Sequence, residues 1–241
     1  MRSVCTGHAA LNAELPGAGW PLGALIELLQ TQPYAPGWSL LLPAVVARVR
    51  AEGGAMVLVN PPHEPFLPAL AAAGMAAPSV LWVRAETPAA QLWSTEQALR
   101  CGDVAAVLAW LPCARSAQLR RLHLAATQRL SSLLFALRPM QAADAASPAL
   151  LRLQVSAQAA EPGQSAPTLR VQILKRRGPS QHAPVSVCVH GEHLRALVAA
   201  TAHTFEGAAA HMGGTVLPFD PRLSGTNPGD RHALDRLAVA A

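Results

Sequence analysis

From Leu22 onward, short unbroken apolar runs alternate with longer stretches whose apolar residues recur at helical spacing. The short runs read as strands buried on both faces, and the longer ones as amphipathic helices. Strands are predicted at Ala24–Leu29, Ala55–Asn60, Val80–Arg84, Val104–Leu111 and Ser131–Arg138. Helices are predicted at Leu40–Glu52, Pro65–Ala73, Pro88–Arg100 and Ser116–Arg129, with a turn at Gly53–Gly54. Alternation of this kind predicts an α/β fold with a mainly parallel central sheet and helices on both faces.

After Pro139 the period changes. Ala149–Ala157 and Thr168–Arg176 alternate apolar with polar residues around a Pro/Gly/Ser linker, the pattern of an antiparallel, half-exposed hairpin at the C-terminal edge. "PVSVCVH" (Pro184–His190) extends that edge by another strand. Three regions follow: a mixed lead-in over residues 1–21, an α/β domain over 22–206 and a flexible C-terminal arm over 207–241. The arm is rich in Gly, Pro, Asp and Arg, and is expected to lack a fold of its own. Within it, Arg231–Ala240 has the pattern of a short amphipathic helix that forms on a partner, with Arg231, Leu234 and Leu237 as contact residues.

Composition supports a packed core. Of 241 residues, 51% are hydrophobic and 14% charged. No apolar run reaches the roughly 18 residues of a membrane span. The N-terminus lacks a basic segment followed by an apolar core, so no signal peptide is expected. Cys5, Cys101, Cys113 and Cys188 lie far apart, which fits reduced thiols and a cytoplasmic location. The net charge is +5 with a pI near 9.7, and the sole lysine is Lys175. That balance permits nucleic-acid contact without establishing it.

Between the first strand and its helix stands "QPYAPGWS" (Gln32–Ser39), which fits the spacing of a phosphate loop, G-x-x-x-x-G-K-[ST]. Gly37 and Ser39 occupy their motif positions; Gln32 replaces the first Gly and Trp38 replaces the Lys. Such a loop works by curling backbone N–H groups round phosphates while a Lys reaches the terminal ones. Here Pro36 removes a donor and Trp38 substitutes an uncharged indole.

Segment order and several phrases resemble the RecA recombinase core over roughly residues 20–180. "GALIELL" is similar to its strand entering the phosphate loop, and "VLVNPPHEPFLPALAAAGM" to its strand, catalytic turn and helix. Within that superfamily the chain resembles the ImuA family of lesion-bypass accessory proteins. "GWPLGALIELL", "EQALRCGDVAAVLAWLP", "LRRLHLAA" and "LRVQILKRRG" carry the likeness. The SulA family of cell-division inhibitors shares the architecture. By the RecA register, Trp110 stands where an Asp would orient magnesium, and Pro62 where the catalytic carboxylate would stand. Glu64 is a weaker substitute two residues along. The resemblance therefore implies a degenerate nucleotide site, no cofactor and no catalysis.

Other candidates are few. "CVHGEH" (Cys188, His190, His193) fits no standard zinc spacing, so no metal site is expected. His63 reads as a turn residue. Lys175, Arg176 and Arg177 form the densest basic run, either a solvated strand end or a contact to nucleic acid or an acidic partner. The stretch Pro139–Pro148, where RecA-like proteins grip single-stranded DNA, is short, Ala-rich and without aromatics. Trp38 and Trp110 are expected side by side at the carboxyl edge of the sheet, filling the former nucleotide pocket as core packing or as a docking patch. The ImuA resemblance implies an accessory protein of SOS-induced translesion synthesis. It would join RecA to an ImuB-like Y-family polymerase homologue and, indirectly, to an error-prone replicative-type DNA polymerase, with DNA met through these partners. The SulA resemblance implies an FtsZ-binding division inhibitor instead.

Overall fold

The computed structural model describes residues 2–31, 36–158, 168–179 and 183–188, all within a compact unit spanning Met1–Ala200. Its strands are β1 (Ser3–Val4), β2 (Trp20–Pro21), β3 (Leu25–Gln30), β4 (Ala55–Val59), β5 (Val80–Val83), β6 (Val104–Trp110), β7 (Leu133–Pro139), β8 (Leu151–Gln158), β9 (Thr168–Lys175) and β10 (Val185–Cys188). Its helices are α1 (Ala9–Glu14), α2 (Leu42–Glu52), α3 (Leu67–Ala72), α4 (Pro88–Arg100) and α5 (Ser116–Thr127).

Eight strands form one sheet in the order β10-β9-β8-β3-β7-β6-β4-β5. From β8 to β5 every neighbouring pair is parallel, while β8–β9 and β9–β10 are antiparallel. The α/β architecture, the parallel core and the edge hairpin thus stand as the sequence pattern expects. Strand β3 is buried along its whole length, because neighbours flank it on both sides and helices cover both faces. On one face Ile26 and Leu28 pack with Ala44, Val45 and Val49 of α2 and Leu70 of α3. On the other, Leu25 packs with Leu99 of α4 and with Leu119, Leu122 and Ala125 of α5.

Local chemistry sets the helix ends. At the start of α4, Thr87 Oγ1 accepts the Ala90 N–H at 3.1 Å, and Pro88 takes the first-turn position where no donor is needed. Helix α2 stops at Gly53, whose φ of 70° is left-handed and whose N–H reaches Val49 O. Glu96 of α4, 5% exposed, accepts from Arg100 at 2.6 Å and from Arg121 Nε of α5 at 2.8 Å, tying the two helices together.

Residues 1–21, a lead-in by sequence, pack into the core. Leu11 and Trp20 are 0% exposed and Leu15 is 4% exposed. The Trp20 ring stands edge-on to Phe135 of β7, with centroids 5.4 Å apart and planes at 87°. No helix among the described residues is long and apolar enough to cross a membrane. The arm, with Arg231, Leu234 and Leu237, lies outside the described residues.

Candidate functional site

Strands β3, β4, β6 and β7 run parallel and end together, so their carboxyl ends converge on one edge of the sheet. Open α/β sheets place ligands at such an edge. A cavity of about 200 Å³ lies there. Gln30 and Thr31 enter it from β3, and Asn60 and Pro62 from the turn after β4. Trp110 and Pro112 close it from β6, and Leu137, Arg138 and Pro139 from β7.

The walls are chiefly apolar, with proline contributed by three separate strand ends. Asn60 has a φ of 51°, a left-handed conformation that Asn tolerates better than most residues. Gln30 is 4% exposed, and its Nε2 has no hydrogen-bond partner. Neither has the buried Nε1 of Trp110. Orphaned buried donors of this kind each cost about 1–3 kcal/mol. Gly37 and the Gln30 amide lie close together: a Cβ at Gly37 would sit 1.9 Å from Gln30 Nε2 and displace that side chain.

Beneath the cavity lies a buried charge network absent from the sequence expectations. Glu27 of β3 is 0% exposed, and its carboxylate is held by Arg138 Nη1 at 2.7 Å and Arg152 Nε at 2.6 Å. The remaining guanidinium nitrogens each reach one carbonyl. Arg138 reaches Leu111 O at 3.4 Å and Ala114 O at 2.6 Å; Arg152 reaches Ala143 O at 3.0 Å and Ala142 O at 2.7 Å. Glu27 and Arg152 are register partners across β3–β8. A one-residue slip of that pairing would turn Arg152 to the opposite face. The signal was a carboxylate inside "ALIELL": a charge in a strand buried on both faces needs a partner on adjacent strands.

The structure brings Pro62 and Trp110 together in the cavity wall. Gln32 lies outside the described residues, as does the side chain of Trp38, so the Trp38–Trp110 pairing falls outside them as well. The backbones of Gly37, Trp38 and Ser39 lie in a 3₁₀ turn, Pro36–Leu40, leading into α2. His63 and Glu64 are exposed. Two members of the basic run are engaged: Lys175 Nζ donates to Ser147 O at 2.9 Å, and Arg176 Nε to Pro179 O at 2.8 Å while Nη1 reaches Glu14 O. Arg177 is exposed. His190 and His193 lie outside the described residues, among which no group of three His, Cys, Asp or Glu is placed to hold a metal. His123 of α5 accepts the Leu25 N–H at Nδ1, 3.1 Å away. Burial, with the Lys175 charge, lowers its pKa and so favours the neutral ring that this bond requires.

Fold and site define an α/β protein whose candidate site is an apolar, proline-walled cavity at the carboxyl edge of a mainly parallel sheet. No known protein-family model matches the chain. It is similar to the cell division inhibitor SulA of Edwardsiella piscicida, at 30% identity over 106 residues. The match covers 44% of this chain and 63% of that protein, less than two thirds of the relative's length. The relationship is thus SulA-like over that stretch.

Proposed function

We propose that this chain is a non-catalytic accessory protein of SOS-induced, error-prone translesion DNA synthesis, of the ImuA kind, built on a RecA-like scaffold with a degenerate nucleotide site. It docks RecA and an ImuB-like Y-family polymerase homologue in the cytoplasm, and through the latter an error-prone replicative-type polymerase. DNA is met through these partners, and no cofactor takes part.

The observation that carries the non-catalytic reading is the identity of the cavity walls. Pro62 and Trp110 stand at the strand ends where a RecA-like ATPase needs carboxylates. Among the described wall residues the one charged group is Arg138, which pairs with Glu27 and reaches two carbonyls. Similarity to SulA supports a place in the SOS response and also favours a second reading, a division inhibitor that binds FtsZ.

Capture experiments separate the two. Full-length tagged chain is presented with purified RecA, the ImuB-like protein and FtsZ in turn. Retention of RecA and the polymerase homologue but not FtsZ is the expected result. Retention of FtsZ alone would replace the lesion-bypass reading with the division-inhibitor one.

A further inference from the structure

Helices α4 and α5 cover the same face of the sheet, and their shared outer surface is at once apolar and basic. Trp93 of α4 is 58% exposed and Leu124 of α5 is 57% exposed. One exposed apolar side chain needs no explanation, but here helical spacing groups two. Trp93, Glu96 and Arg100 stand at i, i+3 and i+7 on α4, so they line one stripe. Arg121 of α5 hydrogen-bonds Glu96 across the two helices. Leu124 lies one turn on from Arg120 and Arg121. Both apolar residues are thus held within a turn of the same bridge.

Charge on this surface is one-sided. The two helices carry Arg100, Arg120 and Arg121 against a single carboxylate, Glu96. Arg100 and Arg121 share that carboxylate while their side chains remain 56% and 69% exposed, so one charge neutralises at most one of them. Arg120 is exposed and has no ion-pair partner among the described residues.

We propose that the α4–α5 surface docks an acidic peptide segment of a partner protein, one that carries bulky apolar side chains. Trp93 supplies a large anchor with few torsions to freeze, the residue type on which interface energy concentrates. Arg100, Arg120 and Arg121 form the kind of arginine cluster that recognises acidic motifs, and they steer the approach of carboxylates. A second copy of this chain fits poorly, because a two-fold contact sets the patch against itself, arginine facing arginine. Nucleic acid fits less well too, since phosphates gain nothing from Leu124 and meet Glu96 at the centre of the patch. The inference goes beyond the proposed role, because it holds for any partner with such a segment.

Selection of a random peptide library displayed on phage, against the full-length chain, tests the proposal. Enriched peptides are expected to be rich in Asp and Glu and to carry Leu, Phe or Trp. A fluorescent synthetic copy of the best peptide is then titrated and followed by anisotropy. Its binding is expected to weaken about tenfold with Trp93→Ala and with Arg120→Glu, and to survive in Trp93→Phe. Both positions are exposed, so the variants are expected to keep the circular dichroism and melting temperature of the parent. The proposal is overturned if no peptide is enriched, if the enriched peptides are not acidic, or if either variant binds as tightly as the parent. An oligothymidine that displaces the peptide, or a dimer that Trp93→Ala dissolves, would overturn it in favour of nucleic acid or a second copy.

Discussion

An E27A variant is expected to lose about 3–5 kcal/mol of stability, because it strands two buried guanidinium groups without their shared counter-charge. Arg138 and Arg152 are 7% and 8% exposed, so neither can turn to solvent without dismantling its loop contacts. Their hydrogen bonds to Leu111, Ala114, Ala142 and Ala143 would then hold two like charges together in a dry interior. Against a typical domain stability of about 5–15 kcal/mol, that loss is large. R138A and R152A are each expected to cost less, since either leaves a neutral Glu27–Arg pair behind. Urea unfolding of the three variants, followed by circular dichroism, checks the ordering. A loss below about 1 kcal/mol in E27A would mean that the network is not closed as described.

The second large effect is expected at Trp20. W20A should cost about 3–5 kcal/mol, the range for deleting a buried aromatic side chain into a cavity. Two facts set where in that range it falls. The ring is 0% exposed and edge-on to Phe135, which adds about 0.5–1.5 kcal/mol beyond its area. Its Nε1 has no partner, so truncation also removes one orphaned donor. A double-mutant cycle of W20A with F135A isolates the pair term. If residues 1–21 were a detachable lead-in, W20A would be close to neutral, and truncation would leave the melting temperature unchanged.

These two sites mark where the sequence was and was not legible. Helix α4 was readable to the residue, because Thr87-Pro88 opens it and neither Gly nor a second Pro interrupts it before Arg100. Strands β4, β6 and β7 were placed within a residue or two, since unbroken apolar runs between helices leave little choice. The 1–21 segment escaped because β1 and β2 are 2-residue strands and α1 spans 6 residues, too short for any period to emerge. Its burial depends on Trp20 meeting Phe135, a contact across more than a hundred positions.

The location of the candidate cavity, at the carboxyl edge of a parallel sheet, was legible from the order of strands and helices. Pro62 and Trp110 do meet at the carboxyl edge. The polar side of the cavity was not legible, because Gln30 reads as the tail of an apolar strand until strand order brings β6 and β7 beside it. The Glu27 network escaped for a similar reason. Arg138 and Arg152 flank Glu27 only because β7 and β8 lie parallel to β3 on either side, pairings that hydrophobic pattern does not encode.

The proposed role rests on docking and not on nucleotide chemistry. Calorimetric titration of the full-length protein with ATP and magnesium, with a parallel phosphate-release assay, distinguishes the two. No saturable heat and no release above the buffer rate are expected. Saturable, magnesium-dependent ATP binding would contradict the claim and return the cavity to the nucleotide-binding class.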